Sequence, residues 1–175
     1  MTNILIIYST TDGHTKKICQ KIRWVLEQYS HVVKLVSIDD ECHVEAELFD
    51  KIVIGASIRY GKHNKKVLDF VKQNKDILQN KPAAFFSVNV VARKPNKNQP
   101  DTNPYMQKFL QQVAWRPDKL AVFAGEIDYQ KYLFFDRMMI RLIMYITHGP
   151  TSLDTVTDFT NWEQVEEFAR VISEM

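Results

Sequence analysis

The chain opens on Ile4-Leu5-Ile6-Ile7-Tyr8, a short run of consecutive apolar positions rich in β-branched residues. Such a run suits a strand buried on both faces, as in a parallel sheet. Ser9 to His14 interrupt it as a polar turn. From Thr15 the spacing becomes helical, with Ile18, Ile22, Val25, Leu26 and Tyr29 on one face. His31 to Ile38 reads as a second strand, and Phe49 to Ala56, centred on Ile52-Val53-Ile54, as a third. Val67, Leu68, Val71 and Leu78 mark a helix running from Asn64 to Gln79. Pro82 to Val88 follows as a fourth strand, Tyr105 to Val113 as a helix and Leu120 to Ala124 as a fifth strand. Arg93 to Pro104 carries Pro95, Pro100 and Pro104 and no apolar residue, and is expected to be a long exposed loop. Asn161 to Ile172 ends the pattern as a helix, with Val165, Phe168, Ala169 and Ile172 on one side and Asn161 as its cap.

Strands alternating with helices predict an α/β fold. The expected form is a doubly wound five-stranded parallel sheet of order 2-1-3-4-5, with right-handed crossovers and ligands at the carboxyl ends of the strands. A length of 175 residues suits one domain, 1–175, interrupted after the fifth strand by a segment at 127–158 that a simple fold of this kind does not need.

Charge and cysteine content narrow the function classes. Lys plus Arg is 23 and Asp plus Glu is 21, a balance that does not point to nucleic acid. Cys19 and Cys42 form neither a disulfide framework nor a zinc spacing, so a reducing compartment and no metal site are expected. Met1 to Tyr8 lacks the basic start and cleavage site of a secretory signal. Nowhere is there an uncharged apolar run of about 18 residues, as a spanning helix requires.

Ser9-Thr10-Thr11-Asp12-Gly13-His14-Thr15 joins the first strand to the first helix. A helix N-terminus presents unpaired N–H groups and partial positive charge, so a phosphate could sit there among the hydroxyls, with Gly13 allowing close backbone approach. The alternative is that the Ser, Thr and Asp side chains simply cap the helix. Two further polar segments fall at neighbouring strand ends: Ser57-Ile58-Arg59-Tyr60, within Gly55 to His63, and Ser87-Val88-Asn89. Tyr60 could flank a planar ring and Arg59 hold an anionic partner. Arg59, Lys62, Lys65 and Lys66, joined by Arg93, Lys94 and Lys97, place cations at this end; they suit an anionic substrate or surface, or form a solvated charged face.

Within the 127–158 segment, Tyr132 to Ile146 is apolar apart from Asp136, Arg137 and Arg141, which helical spacing gathers on one side. The remaining arc is too wide for a water-facing helix and the segment too short to span a bilayer. It could lie in a membrane interface, line a site for a large apolar molecule, form a self-association face giving a homo-oligomer, or pack on the core.

The first loop resembles the phosphate loop of flavodoxins, which bind flavin mononucleotide (FMN) and carry a pattern close to Thr-x-Thr-Gly-x-Thr. Thr10, Gly13 and Thr15 match. Asp12 replaces the middle Thr, so its carboxylate is expected to turn away. The chain as a whole resembles the bacterial quinone-dependent protoporphyrinogen oxidase branch of the flavodoxin-like proteins. That likeness rests on Tyr8 to Thr15, Gly55 to His63, the helical insertion, His148-Gly149-Pro150 and Thr157 to Trp162.

The resemblance implies a flavodoxin-like fold and FMN held by Ser9, Thr10, Thr11, Asp12, Gly13, His14, Thr15, Ser57, Ile58, Arg59, Tyr60, Ser87, Val88 and Asn89. It implies oxidation of protoporphyrinogen IX to protoporphyrin IX in haem biosynthesis, with menaquinone or ubiquinone as acceptor. It also implies a peripheral position on the cytoplasmic side of the inner membrane. Arg59, His63 and His148 are candidates for polarising or proton-transfer roles. An electron-carrying flavodoxin and a flavin-dependent quinone reductase are the alternatives. Carriers of that family are typically acidic and have no need of the apolar insertion.

Overall fold

A computed structural model of the chain describes residues 1–40 and 44–175; Cys42 lies outside the described residues. Five parallel strands form the centre: β1 (Asn3–Ser9), β2 (Val32–Ser37), β3 (Lys51–Arg59), β5 (Ala83–Val88) and β6 (Lys119–Phe123). Their order is β2-β1-β3-β5-β6, and a two-residue β4 (Lys62–His63) folds back antiparallel on β3. With that return set aside, this is the order 2-1-3-4-5.

Period-two alternation divides each central strand between two cores. Leu5, Ile7, Ile52, Ile54 and Phe85 face α2 (Lys65–Gln73) and α4 (Pro104–Val113) through Val67, Val71, Met106 and Phe109. Ile4, Ile6, Val53 and Phe86 face α1 (His14–Gln28) and α6 (Trp162–Glu174) through Ile18, Ile22, Val165 and Phe168. Both faces are covered, which is why β1 and β3 tolerate unbroken apolar runs. Lys51 is buried at the foot of β3 and donates to the carbonyls of Ile172 (3.0 Å) and Ser173 (2.8 Å), satisfying the carboxyl end of α6. Asn161 caps α6 as expected, accepting from the N–H groups of Glu163 and Gln164.

Two expectations change. The helix expected over Asn64 to Gln79 is two, α2 and α3 (Lys75–Asn80), because the Asn74 side chain and backbone both bond the Phe70 carbonyl and end the first helix there. The Arg93 to Pro104 stretch is a folded wall rather than an exposed loop. Asn103 within it is fully buried. Its amide donates to Asn89 Oδ1 (3.1 Å) and the Lys97 carbonyl (2.9 Å), and its Oδ1 accepts from Tyr105 and Met106 N–H to cap α4.

The 127–158 segment leaves and rejoins the domain through an antiparallel ribbon, β7 (Glu126–Asp128) with β8 (Val156–Asp158). Between them runs α5 (Phe134–Ile146), of which only Asp136 and Met144 are buried. Met144 packs with Ile127, Tyr129 and Tyr132 in a small cluster of its own. The apolar arc of α5 does not pack on the main core. Phe135 is 82% exposed and Tyr145 75%. Nor do its three charged residues share a solvated side: Asp136 is drawn inward by Arg59 and Tyr60, Arg137 donates to the Tyr132 carbonyl, and Arg141 is exposed.

Candidate functional site

The turn out of β1 is shaped by Gly13, whose φ of +88° is a left-handed conformation at the position preceding α1. Thr10 Oγ1 accepts from the Gly13 N–H at 3.0 Å and so braces the turn. No side chain caps α1, and no acid stands in its first turn. Thr15 Oγ1, in that first turn, is buried and has no hydrogen-bond partner. An uncapped helix end beside an orphaned buried hydroxyl is what an anion would satisfy, and simple capping leaves both features unexplained. The Asp12 carboxylate points to the Arg59 guanidinium, 3.4 Å away. Burial nevertheless raises its pKa, opposed chiefly by Arg59.

His14 is tied to the segment beyond the insertion. Its Nε2 lies 2.6 Å from Thr160 Oγ1, and that hydroxyl donates its one proton to the Ala124 carbonyl at 2.8 Å. His14 Nε2 must therefore be the donor in this pair, leaving Nδ1 unprotonated and without a partner. Burial lowers the His14 pKa and keeps the ring neutral near pH 7. Glu126 and Asp158 lie 3.6 Å from the two ring nitrogens, but Glu126 is already engaged by Lys17 at 3.2 Å and Lys131 at 3.1 Å.

At the end of β3 the chain reverses through Tyr60 (φ +49°) and Gly61 (φ +72°) before β4. Positive φ at both central residues is what a two-residue type I′ turn requires, and it is uncommon for a side chain as bulky as Tyr. The turn aims Tyr60 and Arg59 toward α5. Asp136 accepts from Tyr60 Oη at 2.7 Å and from Arg59 Nη2 at 2.6 Å. The guanidinium also lies over the rings of Tyr60 and Tyr132, 5.2 and 5.5 Å from their centroids.

A cleft of about 420 Å³ opens at the carboxyl ends of β1, β3 and β5. It brings together most of the residues expected there: Thr10, Thr11, Asp12, His14, Thr15, Ser57, Ile58, Arg59, Tyr60, Val88 and Asn89. Ser9 and Ser87 are buried in the strands behind it, and Gly13 shapes the turn through its backbone. Of the three catalytic candidates, Arg59 alone lines the cleft. His63 lies behind the wall, bonded to Ser87 Oγ at 2.9 Å and set edge-on against Phe85 and Phe109. Burial lowers its pKa to about 4, so it is an uncharged core residue. His148 is exposed beyond α5 with φ +57° and does not line the cleft.

The far wall is contributed by the β5–α4 connection and by the insertion. Arg93, Lys94 and Lys97 come from the first, with Tyr105 from the adjoining first turn of α4, and Ile127, Tyr132, Met139, Ile140, Ile143 and Met144 from the second. Sequence spacing gave no means of assigning the latter group to the same cavity. The unusual apolarity of Tyr132 to Ile146 was the one signal that pointed to them. Arg93 is held by the Val90 carbonyl at 3.1 Å and by Thr147 Oγ1 at 2.8 Å, which pins the carboxyl end of α5 to the cleft wall.

Fold and site together define a flavodoxin-like α/β domain whose uncapped helix end and flanking polar loops suit a phosphorylated planar cofactor such as FMN. The Flavodoxin domain family matches residues 5–154. The chain is 42% identical over 171 residues, 98% of its length and 94% of the relative's, to protoporphyrinogen IX dehydrogenase [quinone] of Escherichia coli strain K12. It is 43% identical over 166 residues, 94% of its length and 72% of the relative's, to the Leishmania major protein of the same name. Among solved structures, oxidised flavodoxin 1 of Bacillus cereus superposes with a TM-score of 0.58 at 16% identity, covering 98% of this chain and 97% of that one. Oxidised flavodoxin 2 of the same organism gives 0.56 at 18% identity, covering 98% of each. These two likenesses concern the fold alone. The chain therefore belongs to the flavodoxin domain family and, within it, to the protoporphyrinogen IX dehydrogenase [quinone] group.

Proposed function

We propose that this protein oxidises protoporphyrinogen IX to protoporphyrin IX with FMN as cofactor and menaquinone or ubiquinone as electron acceptor. The observation that carries this reading is the 42% identity extending over 98% of the chain and 94% of the E. coli enzyme, insertion included. The α1 N–H groups and the Thr15 hydroxyl are suited to hold the FMN phosphate, and the Ser57–Tyr60 and Val88–Asn89 segments to flank its ring. The chemistry that bound FMN supplies there is two-electron transfer, three rounds of which take the porphyrinogen to the porphyrin. The protein's own contribution is to bind, orient and shield. Met139, Ile140, Ile143 and Met144 offer an apolar wall to a large macrocycle, and Arg59, Arg93, Lys94 and Lys97 place positive charge where propionates would lie.

In the same reading, the outward residues of α5 rest in the membrane interface on the cytoplasmic side of the inner membrane, where a lipid-borne quinone is met. Among the described residues, no helix is long and apolar enough to cross a membrane. Support for the peripheral contact comes from the exposure of Phe134, Phe135, Leu142, Tyr145 and Ile146 on the side of α5 that does not line the cleft.

The test is anaerobic incubation of flavin-loaded protein with protoporphyrinogen IX and a menaquinone analogue. Porphyrin fluorescence should rise only when the acceptor is present. A flat trace with acceptor present would discard the oxidase and return the electron-carrier reading.

A further inference from the structure

On α5 the usual arrangement of a surface helix is inverted: apolar side chains face outward, while the carboxylate of Asp136 is buried. That carboxylate sits in a ready-made receptor, with Arg59 Nη2 at 2.6 Å and Tyr60 Oη at 2.7 Å on its two oxygens. Arg59 and Tyr60 line the cleft, and Asp136 does not. A guanidinium and a phenol converging on one carboxylate form a carboxylate-binding subsite. The position of Tyr60 is held by a strained turn that presents its hydroxyl to this point, and backbone strain of this kind gathers at functional sites.

We propose that Arg59 and Tyr60 form the subsite for a propionate carboxylate of the tetrapyrrole, and that Asp136 is its internal occupant, displaced when substrate binds. This rests on the proposed oxidation of protoporphyrinogen IX. Charge favours the exchange. Arg59 already meets Asp12 at 3.4 Å on Nη1 and Asp136 on Nη2. A third carboxylate entering beside both would crowd three negative charges onto the Arg59 guanidinium in a partly desolvated cleft, with Lys131 the further cation acting on Asp12. Swapping one carboxylate for another leaves the balance unchanged. Asp136 is the one able to leave, since it rides on a helix with little other burial, whereas Asp12 belongs to the loop at the head of α1. Release of Asp136 would also free the amino end of α5, leaving the helix held through Met144 and the Arg93–Thr147 bond. Propionate binding and the position of the apolar wall are thereby coupled.

The exchange predicts the opposite sign from a purely structural ion pair. Removing the internal competitor should tighten substrate-like ligands, because the receptor no longer spends time occupied. Flavin-loaded wild type, Asp136→Asn, Asp136→Ala and Arg59→Gln are titrated with protoporphyrin IX and with its dimethyl ester, which lacks the carboxylates, following porphyrin fluorescence. Both Asp136 variants should bind the free acid about tenfold more tightly with ester affinity unchanged. Arg59→Gln should bring the free acid down to the affinity of the ester. Flavin content and far-ultraviolet dichroism confirm that each variant is folded. If the Asp136 variants bind the free acid no more tightly than wild type, or if acid and ester gain alike, the exchange is overturned. Because this is a binding equilibrium, it is separate from turnover. Failure of wild type in the acceptor-dependent assay, with acid-specific tightening in the Asp136 variants, would remove the proposed reaction and support the subsite.

Discussion

Gly55 lies directly beneath the ring of Phe86 on the neighbouring strand, and a Cβ at Gly55 would stand 2.2 Å from Phe86 Cζ. The ring cannot swing aside, because it packs against Phe123 and Phe168 with centroids 5.4 and 6.0 Å away. Gly55 stands inside the strand expected over Phe49 to Ala56, and β3 continues past it to Arg59, through Ser57 and Ile58 of the segment read as a ligand loop. Gly55→Ala should cost about 1–3 kcal/mol through overpacking. The urea midpoint checks this; an unchanged midpoint would mean the Phe86 ring relaxes freely.

Thr15 should show opposite effects on stability and on cofactor binding. Its hydroxyl is buried without a partner, so the isosteric Thr15→Val should raise the stability of the apo-protein by about 1 kcal/mol. The same change should weaken FMN by roughly 10- to 100-fold, the worth of a hydrogen bond to a charged group. Apo thermal denaturation and flavin titration measure the two, and equal flavin affinity would place the phosphate elsewhere.

His63 should make the fold acid-sensitive. Its folded pKa, near 4, lies below the ordinary value of 6.5, so the unfolded chain takes up the proton first. The neutral ring therefore contributes its full stability above pH 6.5, and that contribution is lost as the pH falls toward about 4, to a total of roughly 3 kcal/mol. In His63→Gln this sensitivity should vanish. Unfolding free energies of both proteins at pH 7 and pH 4.5 give the comparison: the advantage of wild type should shrink in acid, and a constant gap would contradict a neutral core histidine.

Asn103 joins the cleft wall to α4. Asn103→Ala removes a helix cap and two donated bonds at a fully buried position and should cost about 2–3 kcal/mol. The Asn103→Asp variant keeps the cap but loses the donors to Asn89 and Lys97, and should fall between. Equal midpoints for Ala and Asp would assign the whole effect to the lost donors.

The outward face of α5 should be dispensable for folding. Replacing Phe135, Tyr145 and Ile146 together by Ser removes side chains that touch neither core nor cleft. The thermal midpoint should hold while flotation with anionic lipid vesicles is lost. A fall in the midpoint with unchanged flotation would show a packing role instead.

How much was legible before folding depended on the range of the interaction. Hydrophobic periodicity fixed the five strands and α1, α4 and α6, because a strand buried on both faces and a helix buried on one leave repeats readable within ten residues. The convergence of the three polar loops was also legible, since parallel strands joined by right-handed crossovers bring their carboxyl ends to one edge. The apolar excess of Tyr132 to Ile146 stood out for the same local reason. Tertiary structure alone decided that Asp136 meets Arg59 across 77 positions of chain, that His63 turns into the core against Ser87 rather than toward the cleft, and that Asn103 is buried within a stretch of prolines and cations. Each of these depends on which polar groups the completed sheet brings within hydrogen-bond reach. A buried polar group takes whatever partner the fold supplies, and sequence neighbours carry no record of that choice.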